Sequence, residues 1–243
     1  MQRMIVPITS VALGLLVMAA AGMDALGQAS HAEPSGRKVV AESRFEATDA
    51  PAQAELVQLV VDFPPGAWTS IHTHGGQAID LVLDGELTLR QNGIEQVYKS
   101  GQAWTERIGQ VHAAGNTGSG QARLLTNFLL PKGAPQILVV QESQLGPGIT
   151  FEAKFPLSTL PPNTDIVQQV VDLPPGWRAE RTYDGLTASL IIAGEVTYQI
   201  GQERKSYKSG DALMLPRNTP VVEASNGQAR VFTTYLVAKG AAP

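Results

Sequence analysis

The feature that most constrains this chain is that part of it is written twice. VQLVVDFPPGAW at 57–68 returns as VQQVVDLPPGW at 167–177, YKSG at 98–101 returns at 207–210, and GQAR at 120–123 returns at 227–230. The offsets are 110 (57 to 167), 109 (98 to 207) and 107 (120 to 227), so two homologous halves stand in tandem with small deletions in the second. Whatever the first half builds, the second must be able to build again. Residues 133–163 carry the Pro- and Gly-bearing stretches QLGPG and PLSTLPPN, and read as a linker between a first unit at 38–132 and a second at 164–240.

Within a half the pattern is that of short strands. Residues 57–62, 78–83, 86–91, 95–99 and 122–130 are β-branched or alternating runs bounded by Pro-Pro-Gly, Asp84-Gly85, Asn92-Gly93 and Ser100-Gly101. Asp-Gly and Asn-Gly between apolar runs signal hairpins, because a type I′ turn needs positive φ at both central positions. With 24 Gly and 16 Pro to interrupt helices, an all-β fold with a sandwich or small barrel in each half is expected.

Several function classes are excluded by composition. The net charge of −4 and the lack of a basic stripe argue against a nucleic-acid partner. With no cysteine there is no disulfide, thiolate metal site, cysteine nucleophile or lipid-modified cysteine anchor, so any metal must be held by nitrogen and oxygen. No phosphate-binding glycine loop, Walker lysine, GxSxG elbow or EF-hand pattern occurs. At the N-terminus Arg3, the apolar run VALGLLVMAAA at 11–21 and the small residues of GQAS and SHAE form an export-signal pattern, with cleavage after Ala29 or Ala32. A signal peptide at 1–29 implies a periplasmic or secreted protein with no stable membrane association once cleaved. The other reading of 5–22 is an uncleaved anchor.

Chemistry concentrates in GAWTSIHTHGGQ at 66–77. His72 and His74 stand two residues apart, so on a strand both imidazoles face one side, and the inside of a barrel is the side that can enclose an ion. His112 follows after two expected hairpins that return the chain to the same mouth. Three neutral imidazoles suit a divalent transition metal, Fe first with Zn, Ni, Cu or Mn as alternatives, and do not suit Mg or Ca.

These residues also carry a family resemblance. Gly66, His72, His74 and Gly85 match the first motif of the cupins, GxxxxxHxHxxxE followed by a glycine seven residues on, with Ala78 at the acid position. Gly101, Gly109, His112 and Asn116 match the second motif, GxxxxxPxGxxHxxxN, with Arg107 in place of its proline. The chain thus resembles a bicupin, which implies two tandem double-stranded β-helix (jelly-roll) barrels and a metal held by His72, His74 and His112. Some cupin dioxygenases work with three histidines, so the resemblance survives Ala78.

Two neighbours of Ala78 are candidates to compensate. Asp80 should share its inward face about 7 Å further along the strand, as a base beside the ion or a ligand through water, and Gln77 on the turn could swing in. Asp80 and Gln77 are therefore the expected proton-handling pair. In the second half Arg181 and Tyr183 stand where His72 and His74 do, Val221 or Val222 stands for His112, and no histidine follows position 112. That barrel should fold without a metal and serve as a packing partner or dimer surface; Arg178, Arg181 and Tyr183 at its mouth offer a carboxylate site as an alternative.

Three function classes follow. The first is a metal-dependent oxidoreductase of dioxygenase type acting on a small organic substrate. The others are a metal-dependent isomerase or lyase, and a non-catalytic module that binds a small molecule.

Overall fold

The computed structural model of the chain describes residues 36–48, 50–51, 53–157 and 160–243; the export-signal pattern lies outside the described residues. Nineteen strands and no helix are found among them. The first repeat runs β1 (Lys38–Glu46), β2 (Ala54–Phe63), β3 (Ile71–Thr73), β4 (Gln77–Asp84), β5 (Glu86–Gln91) and β6 (Ile94–Lys99). It continues through β7 (Ala103–Glu106), β8 (His112–Gly115), β9 (Ala122–Pro131) and β10 (Leu138–Gln141). The second comprises β11 (Gly148–Leu157), β12 (Thr164–Leu173), β13 (Arg178–Thr182), β14 (Leu186–Ala193) and β15 (Glu195–Ile200). It ends with β16 (Glu203–Lys208), β17 (Ala212–Leu215), β18 (Pro220–Ser225) and β19 (Ala229–Ala238).

Four antiparallel sheets form two jelly-roll barrels. The first barrel joins the sheets β11-β2-β9-β4-β7 and β10-β3-β8-β5-β6; the second joins β1-β12-β19-β14-β17 and β13-β18-β15-β16. The strand orders match element for element, as the duplication requires, except that β10 has no counterpart. The expected type I′ turn is present at Asn92-Gly93, where φ is 52° and 74°. Asp84-Gly85 differs from expectation: β4 and β5 lie in different sheets, so Gly85, at φ 75°, turns the corner between sheets rather than closing a hairpin. A Cβ there would meet the Gln121 carbonyl oxygen at 2.8 Å, which is why glycine is needed.

The halves are not self-contained. β1 pairs with β12 of the second barrel from Lys38↔Asp172 to Glu46↔Asp165, while β11 pairs with β2 of the first barrel from Gly148↔Asp62 to Leu157↔Ala54. Both strands carry a bulge at the same place, between Val39 and Ala41 and between Ile149 and Phe151. The repeats have exchanged their leading strands. Two expectations are corrected by this: 133–163 is not a linker but supplies β10 and β11 to the first barrel, and 38–46 belongs to the second. The cause lies in β2 and β12, whose near-identical sequences present equivalent edges to either leading strand.

Strand β2 shows how one sequence serves two cores. Val57, Leu59, Val61 and Phe63 alternate into the first barrel, whereas Leu56 and Val60 face the other barrel. There Leu56, Ile79 and Leu129 pack on Ile166, Ala188 and Leu236, and Val60, Leu81 and Leu125 pack on Val170, Leu190 and Phe232. Buried polar side chains fix the register of this face: Gln58 donates to Thr234 at 2.8 Å, Thr234 to Asn127 at 3.0 Å, and Gln168, the repeat partner of Gln58, to the Ile79 carbonyl at 3.1 Å. A slipped sheet would leave these groups unpaired inside the core. The described residues accordingly form one compact unit.

Candidate metal centre

Strand β3 is only three residues long, yet its pairing sets the site. His72 stands directly opposite His112 across β3 and β8, so both imidazoles leave the same face of the sheet. His74 follows just beyond β3, and the three residues offer ligand atoms that all lie within 4.8 Å of one another. All three are buried. The expected histidine set is thus brought together.

Each ring is oriented by a backbone carbonyl. His72 Nδ1 lies 2.6 Å from the Ser70 oxygen, His74 Nδ1 2.7 Å from the Gln136 oxygen, and His112 Nδ1 2.9 Å from the Gln110 oxygen. A carbonyl oxygen only accepts, so each Nδ1 donates and Nε2 is left as the ring's ligand atom for a metal ion; on His74 and His112 that atom donates to Glu106 Oε2 while it is protonated and is free to ligate once the proton is lost. Three imidazoles with ligand atoms within 4.8 Å of one another, no sulfur and a nearby carboxylate fit a divalent transition metal rather than Mg or Ca.

The nearby carboxylate is Glu106, which the sequence did not single out. Its Oε2 lies 2.8 Å from His74 Nε2 and 3.0 Å from His112 Nε2, and its Oε1 accepts from Trp104 Nε1 at 2.8 Å. Glu106 stands opposite Ala78 in the β4–β7 pairing. The available signal was the alternation in AWTE at 103–106, which puts Trp104 and Glu106 on one face of a strand beside the site.

These groups line a cavity of about 380 Å³. Asp80 is in its wall, as expected, 3% exposed and accepting from Thr126 Oγ1 at 2.6 Å. The other walls are mostly apolar, including Leu59, Val61, Leu124 and Phe128 from the barrel. Ile137, Val139 and Ile149 close one side, so the stretch expected to be a linker shapes the cavity.

Charge in the cavity is unevenly held. Burial pushes His72 down to about 4, keeping it neutral, although the Ser70 carbonyl works the other way. Burial would also lower His112, but the hydrogen bond and charge of Glu106 outweigh it and raise the ring above its ordinary value. Burial would raise Glu106; its hydrogen bonds from His112 and His74 prevail and hold the carboxyl well below the usual carboxylate range. Asp80 is raised well above that range, first by burial and then by the charge of Glu106, against the Thr126 hydrogen bond. Of the two acids of the cavity, Glu106 is therefore held toward its ionised form and Asp80 toward its protonated form.

Gln77 does not swing in. Its amide donates to the Glu46 carbonyl at 3.0 Å and Thr105 Oγ1 at 3.1 Å, and its oxygen accepts from the Thr48 amide at 2.8 Å. Because Ala78 and Asp80 face the barrel interior, strand alternation sends Gln77 to the opposite face, where it ties down the end of β1.

The second barrel lacks the site for a visible reason. Arg181 pairs with Val221 where His72 pairs with His112, and the interior is filled by Trp177, Tyr183, Tyr198 and Tyr235, leaving about 10 Å³. Tyr183 donates to Glu223, so at the mouth offered as an alternative carboxylate site the Tyr183 hydroxyl is already engaged by a carboxylate of the chain itself.

Comparison with known proteins agrees with this geometry. A family model described as a cupin domain matches residues 59–128, which hold all three histidines. AerE from Microcystis aeruginosa superposes with a TM-score of 0.53 at 16% identity, covering 80% of this chain and 97% of that one. YhaK from Escherichia coli gives 0.53 at 17%, covering 82% and 95%. At such identities the likeness is one of fold. No curated protein matches the sequence. Residues 59–128 of the first barrel, with their paired histidine motifs, are thus similar to a cupin domain, and the second barrel repeats the fold of the first.

Proposed function

We propose that this chain is an exported, iron-dependent oxidoreductase of dioxygenase type acting on a small organic substrate. The observation that carries this reading is a set of three Nε2 donors opening directly onto a largely apolar cavity of about 380 Å³, a volume suited to a small organic molecule. A bound ion would supply Lewis-acid and redox chemistry to a chelating enol or catechol-like substrate and O2. His72, His74 and His112 would hold it, each fixed in tautomer by its carbonyl partner. Leu59, Val61, Leu124 and Phe128 would exclude water from the substrate's apolar part. Asp80, held toward its protonated form by burial and steadied by Thr126, would move a proton at the substrate's oxygen. Export rests on the charged, apolar and small-residue pattern at 1–32.

The test is oxygen uptake by the iron-loaded protein against a panel of small enols, catechols and hydroxylated aromatic acids. O2 consumption matched by substrate loss supports the proposal. Substrate conversion without O2 would replace it with an isomerase or lyase, and saturable binding without conversion would make the barrel a binding module.

A further inference from the structure

We propose that Glu106 is the fourth protein ligand of the metal site, a carboxylate brought in from β7 to the place where the first histidine motif carries Ala78. The proposal rests on metal binding by the three histidines and adds a residue at a position that the second motif leaves unspecified.

Four observations support it. First, Ala78 and Glu106 are direct partners across β4 and β7, so their side chains leave the same face about 5 Å apart at Cβ. A side chain from one position can therefore deliver its carboxyl to the region served by the other. Second, Ala78 is fully buried, so a glutamate there would compete with Glu106 for one space; the short residue and the long one are complementary.

Third, Glu106 shares the space that the ring nitrogens face. With Nδ1 of His74 and His112 donating to carbonyls, both Nε2 atoms turn to Glu106 Oε2, at 2.8 and 3.0 Å. A proton on Nε2 bridges each pair without an ion, and a metal ion that displaces those protons finds the same three atoms as ligands. Donors about 2.1 Å from an ion stand about 3.0 to 3.5 Å apart, close to these two His–Glu separations. Fourth, Glu106 is 3% exposed, and no Lys or Arg bonds to it among the described residues. Its charge is offset only through the rings of His74 and His112, the same groups that would hold the ion. Trp104 holds Oε1 and so directs Oε2 at the histidines. Asp80 is not a competitor, because its Oδ1 is engaged by Thr126 and it bonds to no ring nitrogen.

The experiment measures Zn(II) affinity, by competition with a chromophoric chelator, and the Co(II) absorption spectrum of the whole mature protein and its variants. Glu106→Gln, nearly isosteric and neutral, should weaken Zn(II) at least about tenfold, a loss seen even for groups that only support a ligand. It should also change the Co(II) bands. Glu106→Ala should weaken binding further, and Ala78→Glu/Glu106→Ala, which returns the carboxylate to the motif's own position, should recover most of that loss. An infrared difference spectrum of the unaltered protein on Zn(II) addition should show a carboxylate stretch shifting, a readout independent of how the variants fold. Wild-type affinity and an unchanged Co(II) spectrum in Glu106→Gln, with no carboxylate shift, would make Glu106 a hydrogen-bond partner of the rings alone and leave the histidine site standing. Loss of all metal binding already in the unaltered protein would overturn both.

Discussion

Phe232→Ala tests whether the two barrels stand or fall together. Phe232 lies on β19 of the second barrel, fully buried, in the layer that packs on Val60, Leu81 and Leu125 of the first. Truncating a buried phenylalanine costs about 3–5 kcal/mol, part transfer and part cavity. For a unit of this size each kcal/mol moves Tm by about 2–4 °C, so the expected fall is about 6–20 °C. Because β1 and β11 are exchanged and the back-to-back sheets share one core, the loss should fall on both barrels in a single transition. Calorimetry gives the shift. Near-ultraviolet circular dichroism follows Trp104 in the first barrel and Trp177 in the second. Two separated transitions, of which only the second moves, would refute the shared core.

Other consequences follow from the site. Metal affinity should fall as pH drops through the raised value of His112, starting above 6.5, because there a proton replaces the ion on Nε2; His72, held neutral down to about 4, adds no loss in that window. Affinity that stays flat from pH 8 to 5 would contradict the assignment. Asp80→Asn should leave Zn(II) affinity within about threefold while lowering turnover by about 100-fold or more, the usual weight of a positioned proton donor. Equal turnover would remove Asp80 from the chemistry. Gln77→Ala should lose three hydrogen bonds and about 1–3 kcal/mol of stability without moving metal affinity, as chelator competition alongside thermal melting would show.

What could be read from residue order alone was whatever is local or repeated. The recurring VQxVVDxPPG block and the alternating runs predict two barrels of short strands, and β5 falls at the expected 86–91. His72, His74 and His112 stand out because two lie on one strand face and the third follows at a telling distance. What was missed depends on pairing between distant segments. Glu106 reaches the site only because β7 pairs with β4 in a register that sets it against Ala78, and nothing in residues 103–106 names that partner. The strand exchange is invisible for a related reason: β2 and β12 are so alike that either could accept β1. Gln77 was misplaced by phase, since the alternation that turns Ala78 inward turns its neighbour out. Asp84-Gly85 has hairpin composition, but a corner between sheets asks for the same positive φ.

The central claim is one transition-metal ion held in the first barrel by His72, His74 and His112. It is tested most directly by metal analysis of the purified protein and of His112→Ala, after dialysis against a weak chelator. The account predicts about one equivalent per chain in the first and close to none in the second, with both folded by circular dichroism. About two equivalents, or an undiminished content in His112→Ala, would contradict it.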